Sequence, residues 1–266
     1  MELNEILISK AITESWHKDF IDCLEVDVAI AGGGPAGLAA AYYLARGGAK
    51  VLLLERRLSL GGGMWGGGMM YNRCVFQSES MEILDELGIR TKEYEPGYYV
   101  TDSLETVATL ILAAIKAGAR IFNLLGVEDI MIREKRITGL VINWAAVGLA
   151  SLHVDPMVIK AGVVIDATGH AVEVTKIVTQ KMGPGLLTET GEIMGEKPMW
   201  ADVGERTIVE NTKEAYPGLY VAGMAANAVF GGPRMGPIFG GMLLSGKKVA
   251  EMILGNRLCT HDKEKR

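Results

Sequence analysis

A glycine-rich turn between an apolar strand and a helix constrains this chain more than any other feature. The stretch 32–37 reads Gly-Gly-Gly-Pro-Ala-Gly, which has the spacing G-x-G-x-x-G. Apolar periodicity predicts a strand over 26–31, a helix over 36–46 and a second strand over 51–55. Glu55 ends that second strand, close to the ~20 residues at which dinucleotide-binding folds place an acid. The sequence therefore predicts a βαβ unit that binds a nucleotide.

The glycines of this turn have a physical role in such a unit. They let the backbone approach a pyrophosphate, the helix N-terminus offers unpaired N–H groups, and the acid accepts bonds from ribose hydroxyls. The predicted nucleotide-binding residues are Gly32, Gly34, Gly37 and Glu55. The alternative is a tight turn with Glu55 facing solvent. Arg56 either reaches a phosphate, stacks on adenine or is solvated.

The remaining pattern predicts one nucleotide-binding domain over residues 1–266. It begins with an amphipathic helix over 4–20, in which Asn4 is the N-cap. An antiparallel β insertion at about 120–150 contains a hairpin of strands 127–133 and 137–144. Further strands are expected at 161–166 and 218–222, followed by a loop to Phe239, a helix over 240–254 and a charged tail over 255–266.

Two of these strands carry a resemblance to known proteins. The segments 163–169 and 217–223 resemble the second and third nucleotide-contact segments of glutathione-reductase-like flavoproteins. The resemblance implies an α/β, doubly wound, Rossmann-like fold. In those flavoproteins an Asp that holds the flavin usually follows the last segment, and here the residue is Met224, which counts against FAD.

Composition excludes several classes of partner and location. The net charge of -5 argues against nucleic acid as a partner. The acidic N-terminus is wrong for a signal peptide, and the uncharged stretch 28–45 contains glycines and a proline that favour strand, turn and helix over a membrane span. Three cysteines without metal or disulfide spacing indicate a reducing cytoplasm. Glycine makes up 34 of 266 residues, and the tract 60–68 is expected to be a loop, either mobile or packed against a ligand.

A small set of polar residues could carry chemistry. Because side chains alternate along an extended segment, His153 and Asp155 lie on the same face of one. His170 follows a strand at the sheet edge where α/β proteins bind ligands. Imidazole and carboxylate ligands suit Fe(II), Zn(II) or Mn(II), although His153 and Asp155 could instead cap a turn before Pro156. Arg234 lies in a stiff Gly- and Pro-bounded loop, where it either grips a carboxylate or phosphate or pairs with a structural acid.

Several of these segments together resemble the thiamine thiazole synthase family. They are the glycine turn with Glu55 and Arg56, the tract 61–68, Asp155-Pro156, Thr168-Gly169-His170 and the loop 234–237. That family consumes NAD, releases nicotinamide, and condenses ADP-ribose with glycine and sulfur to an adenylated thiazole carboxylate. In fungal and plant members a cysteine two residues before the motif's Asp donates the sulfur. Here that residue is His153, so the chain resembles the archaeal branch, which uses free sulfide with Fe(II) and turns over repeatedly.

The resemblance also implies residue roles. ADP-ribose would contact Ala36, Glu55, Arg56 and Gly63, with Val127 near the adenine and Met224 in the pocket. Asp155 and His170 match the metal ligands, and Arg234 matches the group that binds the glycine carboxylate. His153 is either a proton shuttle or a spacer.

Family members are octamers with the site at a protomer boundary, so Asp155 and His170 can belong to different halves of one site. Two other functions remain open from sequence. One is an FAD-dependent oxidoreductase of the same fold, and the other is a non-catalytic nucleotide-binding or sensing protein.

Overall fold

A parallel sheet forms the centre of the protein, which the computed structural model describes from residue 3 to 264, with side chains described to residue 256. The strands are β1 (Glu25–Ala31), β2 (Val51–Glu55), β3 (Arg73–Gln77), β4 (Thr91–Glu95), β5 (Tyr98–Asp102), β6 (Arg120–Asn123), β7 (Leu125–Arg133), β8 (Arg136–Trp144), β9 (Met157–Asp166), β10 (Lys213–Tyr216) and β11 (Leu219–Val221). The helices are α1 (Glu5–Asp22), α2 (Pro35–Arg46), α3 (Met81–Glu86), α4 (Ser103–Lys116), α5 (Ala145–Leu149), α6 (Glu173–Met182), α7 (Ala201–Asn211), α8 (Met224–Phe230) and α9 (Gly240–Glu264). Short 3-10 turns cover Gly62–Gly66, Ser78–Ser80 and Gly169–Ala171.

The order of the main sheet confirms the predicted doubly wound fold. The strands lie in the order β10-β11-β9-β1-β2-β6, and every neighbouring pair is parallel except β10 with β11. Their carboxyl ends therefore meet at one edge, where the glycine turn after β1 also lies.

Both faces of this sheet are buried, as a parallel sheet requires. Side chains alternate along β1, so Val28 and Ile30 enter one apolar cluster while Ala29 and Ala31 enter another. The first cluster packs against α2, α4 and α9, and the second against α6, α8 and the end of α1. The near-continuous apolar strands in the sequence follow from this two-sided burial.

The predicted antiparallel insertion is present, with a different start. Strands β7 and β8 form the expected hairpin, and β8 pairs antiparallel with the first residues of β9. The predicted start near residue 120 was wrong, because Arg120–Asn123 pairs parallel with β2 as part of the main sheet.

A second sheet, of strands β3, β5 and β4, was not predicted. It is antiparallel, and Cys74 and Phe76 of β3 enter the same apolar cluster as Val28 and Ile30 of the main sheet. The residues of β4 are mostly exposed and charged or polar, so this strand lacks the apolar alternation by which a half-buried strand is recognised.

Several helix boundaries differ from prediction. Asn4 caps α1 as expected, because its Oδ1 accepts from the backbone N–H groups of Ile6 and Leu7 at 3.0 and 3.1 Å, but the helix ends at Asp22. The loop expected after residue 223 contains α8. The last helix continues to Glu264 rather than ending at Leu254, so most of the expected tail is helical.

The stretch 28–45 forms strand, turn and helix as predicted. Over residues 3–264, none of the helices combines the length and the apolar character needed to cross a bilayer.

Candidate active site

One cavity of about 540 Å³ lies at the carboxyl edge of the main sheet. Its volume is within the range of small-molecule sites. Strands β1, β2, β9 and β11 all end at it or directly before it. Most of the predicted site residues line this cavity: Gly32, Gly34, Ala36, Glu55, Arg56, Gly63, Val127, His170, Met224 and Arg234.

The glycines of the turn after β1 have different roles. A Cβ on Gly32 would lie 2.4 Å from the carbonyl oxygen of Ala167, and one on Gly37 would lie 2.0 Å from that of Gly32. These two positions therefore require glycine for close backbone packing, and Gly37 does not line the cavity. A Cβ on Gly34 would meet nothing within 4 Å. Gly34 is the N-cap of α2 and makes no side-chain cap, so the helix N-terminus stays open toward the cavity.

Glu55 is fixed by the turn that it faces. Its side chain is buried, and its two oxygens accept from the N–H groups of Gly33 at 2.9 Å and Arg57 at 2.8 Å. The alternative of a solvent-facing Glu55 is therefore wrong. The carboxylate lies on the cavity wall, where its remaining lone pairs can accept from hydroxyl groups of a ligand.

Arg56, the residue directly after Glu55, forms an ion pair with Glu173. Its Nη1 lies 2.6 Å from Oε1 of Glu173, and both residues line the cavity. Burial raises the pKa of Glu173, and the nearby guanidinium of Arg56 partly opposes this shift. Arg56 is thus held by Glu173 at the cavity wall.

The glycine tract 61–68 is folded. Residues Gly62–Gly66 form a 3-10 turn in which Met64 is fully buried, and Ser103 donates a hydrogen bond of 2.6 Å to the carbonyl oxygen of Trp65. Gly62, Gly63 and Gly68 line the cavity, which supports the interpretation that the tract packs against a ligand.

His170 lies on a tightly determined turn after β9. Gly169 has φ +70° and Val172 has φ +49°, an unusual conformation for a β-branched residue. The fully buried carboxylate of Asp166 accepts four hydrogen bonds, two from Thr168 and two from Thr175, at 2.6–3.1 Å. This network holds the turn that carries the histidine.

A carboxylate brings His170 and Arg234 together. Nδ1 of His170 lies 2.5 Å from Oε1 of Glu196, and Nε of Arg234 lies 3.9 Å from Oε2. The Glu196 side chain is 18% exposed, whereas the other two are more than half exposed toward the cavity side. Arg234 therefore lies near an acid, as one alternative predicted. The 3.9 Å between its Nε and Oε2 of Glu196 is too long for a hydrogen bond, so the N–H groups of Arg234 remain available to a ligand.

His153 and Asp155 do not join this group. Both side chains are exposed, both lie before the start of β9, and neither lines the cavity. His170 lies after the other end of β9, whose ten residues extend up to about 30 Å. Within residues 3–256, one chain brings no three His, Cys, Asp or Glu side chains together in a geometry that could hold a metal ion. The predicted pairing of Asp155 with His170 is therefore not formed within one chain.

Sequence reasoning missed two residues beside the site. Glu196 lies in an irregular segment with no periodicity or motif. Glu173 could have been suggested by its place in the first turn of a helix after a strand end.

The chain is similar to known proteins in family, in sequence and in structure. Residues 9–239 match the model of the Thi4 family. A protein named thiamine thiazole synthase from Methanothermobacter thermautotrophicus is 61% identical over 96% of this chain and 98% of its own length. A protein of the same name from Pyrococcus horikoshii is 54% identical over 95% and 98%.

Solved structures agree with this result. The crystal structure of Thermovibrio ammonificans THI4 is 50% identical, covers 97% of this chain and 99% of its own, and has a TM-score of 0.93. A geranylgeranyl bacteriochlorophyll reductase-like protein from Thermoplasma acidophilum, 15% identical with a TM-score of 0.53 over 89% and 79% of the two chains, shares the fold alone. The extent of the match, over most of the sequence and nearly the whole fold, shows that the chain belongs to the Thi4 family.

Proposed function

We propose that this chain is a thiamine thiazole synthase that converts NAD, glycine and free sulfide to ADP-5-ethyl-4-methylthiazole-2-carboxylate, with release of nicotinamide. We further propose that it depends on Fe(II) and turns over repeatedly. Its family and its identity to proteins named thiamine thiazole synthase support the enzyme class. The observation that carries the detailed proposal is that the nucleotide-type glycine turn, His170 and Arg234 line one cavity, with Glu196 in contact with His170 beside it.

In this proposal the ADP-ribose part of NAD lies along the glycine turn. The pyrophosphate would occupy the open N-terminus of α2 beside Gly34, where unpaired N–H groups favour an anion. Glu55 would accept bonds from the ribose hydroxyls, and Val127 and Met224 would contact the apolar parts of the ligand. NAD acts here as a substrate of the transferase reaction, which consumes its ADP-ribose part.

Arg234 would bind the carboxylate of glycine. Its guanidinium is 58% exposed and lines the cavity, and a planar guanidinium can grip a carboxylate with two parallel hydrogen bonds. This would hold the glycine amine toward the sugar carbons.

His170 and Asp155 would hold the Fe(II). The imidazole uses Nδ1 for Glu196, which leaves Nε2 for a metal, and imidazole with carboxylate is a donor set that suits Fe(II) with open positions. When bound, Fe(II) supplies a Lewis acid that stabilises negative charge on the substrate. Because the two side chains lie at opposite ends of β9, we propose that Asp155 reaches the site from another protomer.

Exposed apolar residues in α1, together with Leu3 just before it, support assembly into a homo-oligomer, for which the family resemblance suggests an octamer. Leu3, Ile6, Leu7, Ile8 and Ile12 are each at least 47% exposed, and contiguous apolar surface of this kind is typical of protein interfaces.

Free sulfide is proposed because Cys23 and Cys74, the cysteines whose side chains are described, do not line the cavity. The position of the donor cysteine is His153, which then acts as a proton shuttle or a spacer. Cys23 and Cys74 are buried, and burial raises the pKa of both thiols, that of Cys74 to about 12. Thiols that stay protonated are poor nucleophiles and poor sulfur donors. The side chain of Cys259 lies outside the described residues.

An anaerobic incubation with NAD, glycine, sulfide and Fe(II) tests the proposal. Mass spectrometry should detect the adenylated thiazole and free nicotinamide, with product in excess over enzyme. Omission of sulfide should abolish product, and His170→Ala and Arg234→Ala should each abolish it while retaining NAD. If instead product forms without sulfide and the protein loses the mass of H₂S, as when a cysteine becomes dehydroalanine, a cysteine is the donor and the sulfide proposal is wrong.

Mixing of two inactive variants tests the shared site. Asp155→Ala and His170→Ala chains, unfolded and reassembled together in equal amounts, place an intact Asp155 opposite an intact His170 in about one quarter of sites if assembly of the symmetric oligomer is random. We expect about a quarter of wild-type activity from the mixture and none from either variant alone. No recovery would place both residues in the same half-site.

A further inference from the structure

Glu196 is the residue through which the two reactive side chains of the cavity are connected. Its carboxylate contacts Nδ1 of His170 at 2.5 Å and faces Nε of Arg234 at 3.9 Å. It comes from neither of the segments that carry these residues. No sequence motif includes Glu196. In the proposed reaction it is neither a metal ligand nor a contact of the substrate.

The backbone around Glu196 is held independently of its side chain. Gly195 donates to the carbonyl oxygen of Ala228 at 2.9 Å, and Lys197 donates to that of Gly232 at 3.0 Å. The N–H of Arg234 in turn donates to the carbonyl oxygen of Lys197 at 3.2 Å. Because these bonds use only main-chain atoms, truncation of the Glu196 side chain should leave its segment in place.

The contact with Glu196 determines which ring nitrogen of His170 is free. A carboxylate accepts hydrogen bonds and does not donate them, so this contact favours the tautomer with N–H at Nδ1, in which the lone pair of Nε2 faces away from Glu196. The ring of His170 is otherwise half exposed, and rotation about its side-chain bonds would be only weakly restricted without this partner. Hydrogen bonds of this type to a metal-binding histidine fix its tautomer and orientation and raise its basicity.

We infer that Glu196 is a positioning residue that orients His170 for metal binding and places a carboxylate opposite Arg234. The inference rests on the proposed function, since it assumes that His170 binds a metal ion. Glu196 itself does not touch the metal or the substrate. Glu196 would affect glycine binding through Arg234 and metal binding through the orientation of His170.

The test measures binding of Co(II) alone, without turnover, to the assembled full-length protein. Calorimetric titration gives the affinity, and the visible absorption of Co(II) reports its coordination. We expect Glu196→Ala to weaken Co(II) binding by about 10–100-fold and to change the spectrum. Glu196→Gln keeps an oxygen that accepts from Nδ1–H, so most of the affinity should return. Glu189→Ala removes an exposed carboxylate of the same irregular region and should bind Co(II) like the wild type.

A double variant separates positioning from a general structural effect. In His170→Ala the ligand is already lost, so adding Glu196→Ala should cause no further loss of Co(II) affinity. ADP-ribose affinity should be unchanged in Glu196→Ala. Wild-type Co(II) affinity in Glu196→Ala, or an equal loss in the His170→Ala background, would overturn the inference while leaving the proposed function intact. A wild-type protein that binds no Co(II) would instead overturn the metal site and this inference with it.

Discussion

A buried acid on α7 makes the stability of the protein depend on pH. Glu205 lies on α7, and its Oε2 accepts from the N–H of Gly241 at 2.6 Å in the first turn of α9. Its other oxygen and Oε1 of Gln77 are buried and have no hydrogen-bond partner among the described residues. Burial raises the pKa of Glu205 to about 7, and the hydrogen bond from Gly241 and the neighbouring Gln77 side chain partly oppose this shift.

The size of the effect follows from the difference between the folded and unfolded pKa. The unfolded chain holds this proton with a pKa near 4.5, so the folded state binds the proton more tightly. The resulting stabilisation is complete below pH 4.5 and disappears as the pH rises through about 7. At 1.36 kcal/mol per pKa unit, the loss amounts to about 3 kcal/mol.

Replacement of Glu205 by Gln removes the titrating group. The amide keeps an acceptor for Gly241 N–H, and its NH₂ can donate to the unpaired oxygen of Gln77. Loss of a negative charge at the start of α9 costs about 0.3–1 kcal/mol. We therefore expect Glu205→Gln to be more stable than wild type by about 2 kcal/mol at pH 8 and to differ little from it at pH 5.

Urea unfolding followed by circular dichroism at pH 5, 6, 7 and 8, with the protein concentration fixed, measures this difference. Glu210→Gln changes an exposed carboxylate on the same helix and should give a small shift that does not vary with pH. The reasoning is refuted if the difference between Glu205→Gln and wild type is constant across this pH range, or if the variant is the less stable protein at pH 8.

Three further predictions concern the cavity and the core. Gly37→Ala places a Cβ 2.0 Å from the Gly32 carbonyl oxygen and should lower the unfolding free energy by about 1–3 kcal/mol; an unchanged melting temperature would contradict this. Cys74, with a pKa raised to about 12 by burial, should resist iodoacetamide at pH 8 in the native protein and react in urea, as mass spectrometry of the labelled chain can show. Arg56→Ala removes the partner of Glu173 at the cavity and should weaken ADP-ribose binding about tenfold. The loss should be larger at pH 8 than at pH 5, because the unpaired carboxylate of Glu173 is then charged. Calorimetry that finds equal affinity would show that Arg56 does not act on the ligand.

Periodicity and spacing predicted the centre of the fold because local sequence determines it. The apolar runs of β1 and β2 are buried on both faces. In the turn between β1 and α2, Gly32 has a positive φ, and neither Gly32 nor Gly37 has room for a Cβ. The same local information identified most of the cavity wall. The residues of β4 and the short helix α8 escaped prediction because tertiary contacts, rather than an alternating pattern or a long apolar period, hold them in place.

The reactive residues show where sequence reasoning ends. His170 and Glu196 are 26 positions apart, in segments that no pattern links, so their contact depends on the path of the chain after β9. Asp155 and His170 are both expected to bind a metal, yet β9 separates them. In our proposal their relation depends on assembly of protomers, which the secondary structure of one chain does not determine.

The conformation of the turn that carries His170 connects the buried core with the exposed site. A β-branched residue in the left-handed region, as at Val172, costs about 1–3 kcal/mol and persists only where surrounding contacts fix it. Asp166 provides such contacts, because its fully buried carboxylate accepts four hydrogen bonds from Thr168 and Thr175 on either side of the turn. Each hydrogen bond of this kind contributes about 0.5–1.5 kcal/mol, so the four together offset the cost of the strained residue. The histidine is therefore held from two directions, by Asp166 through the backbone and by Glu196 through its ring.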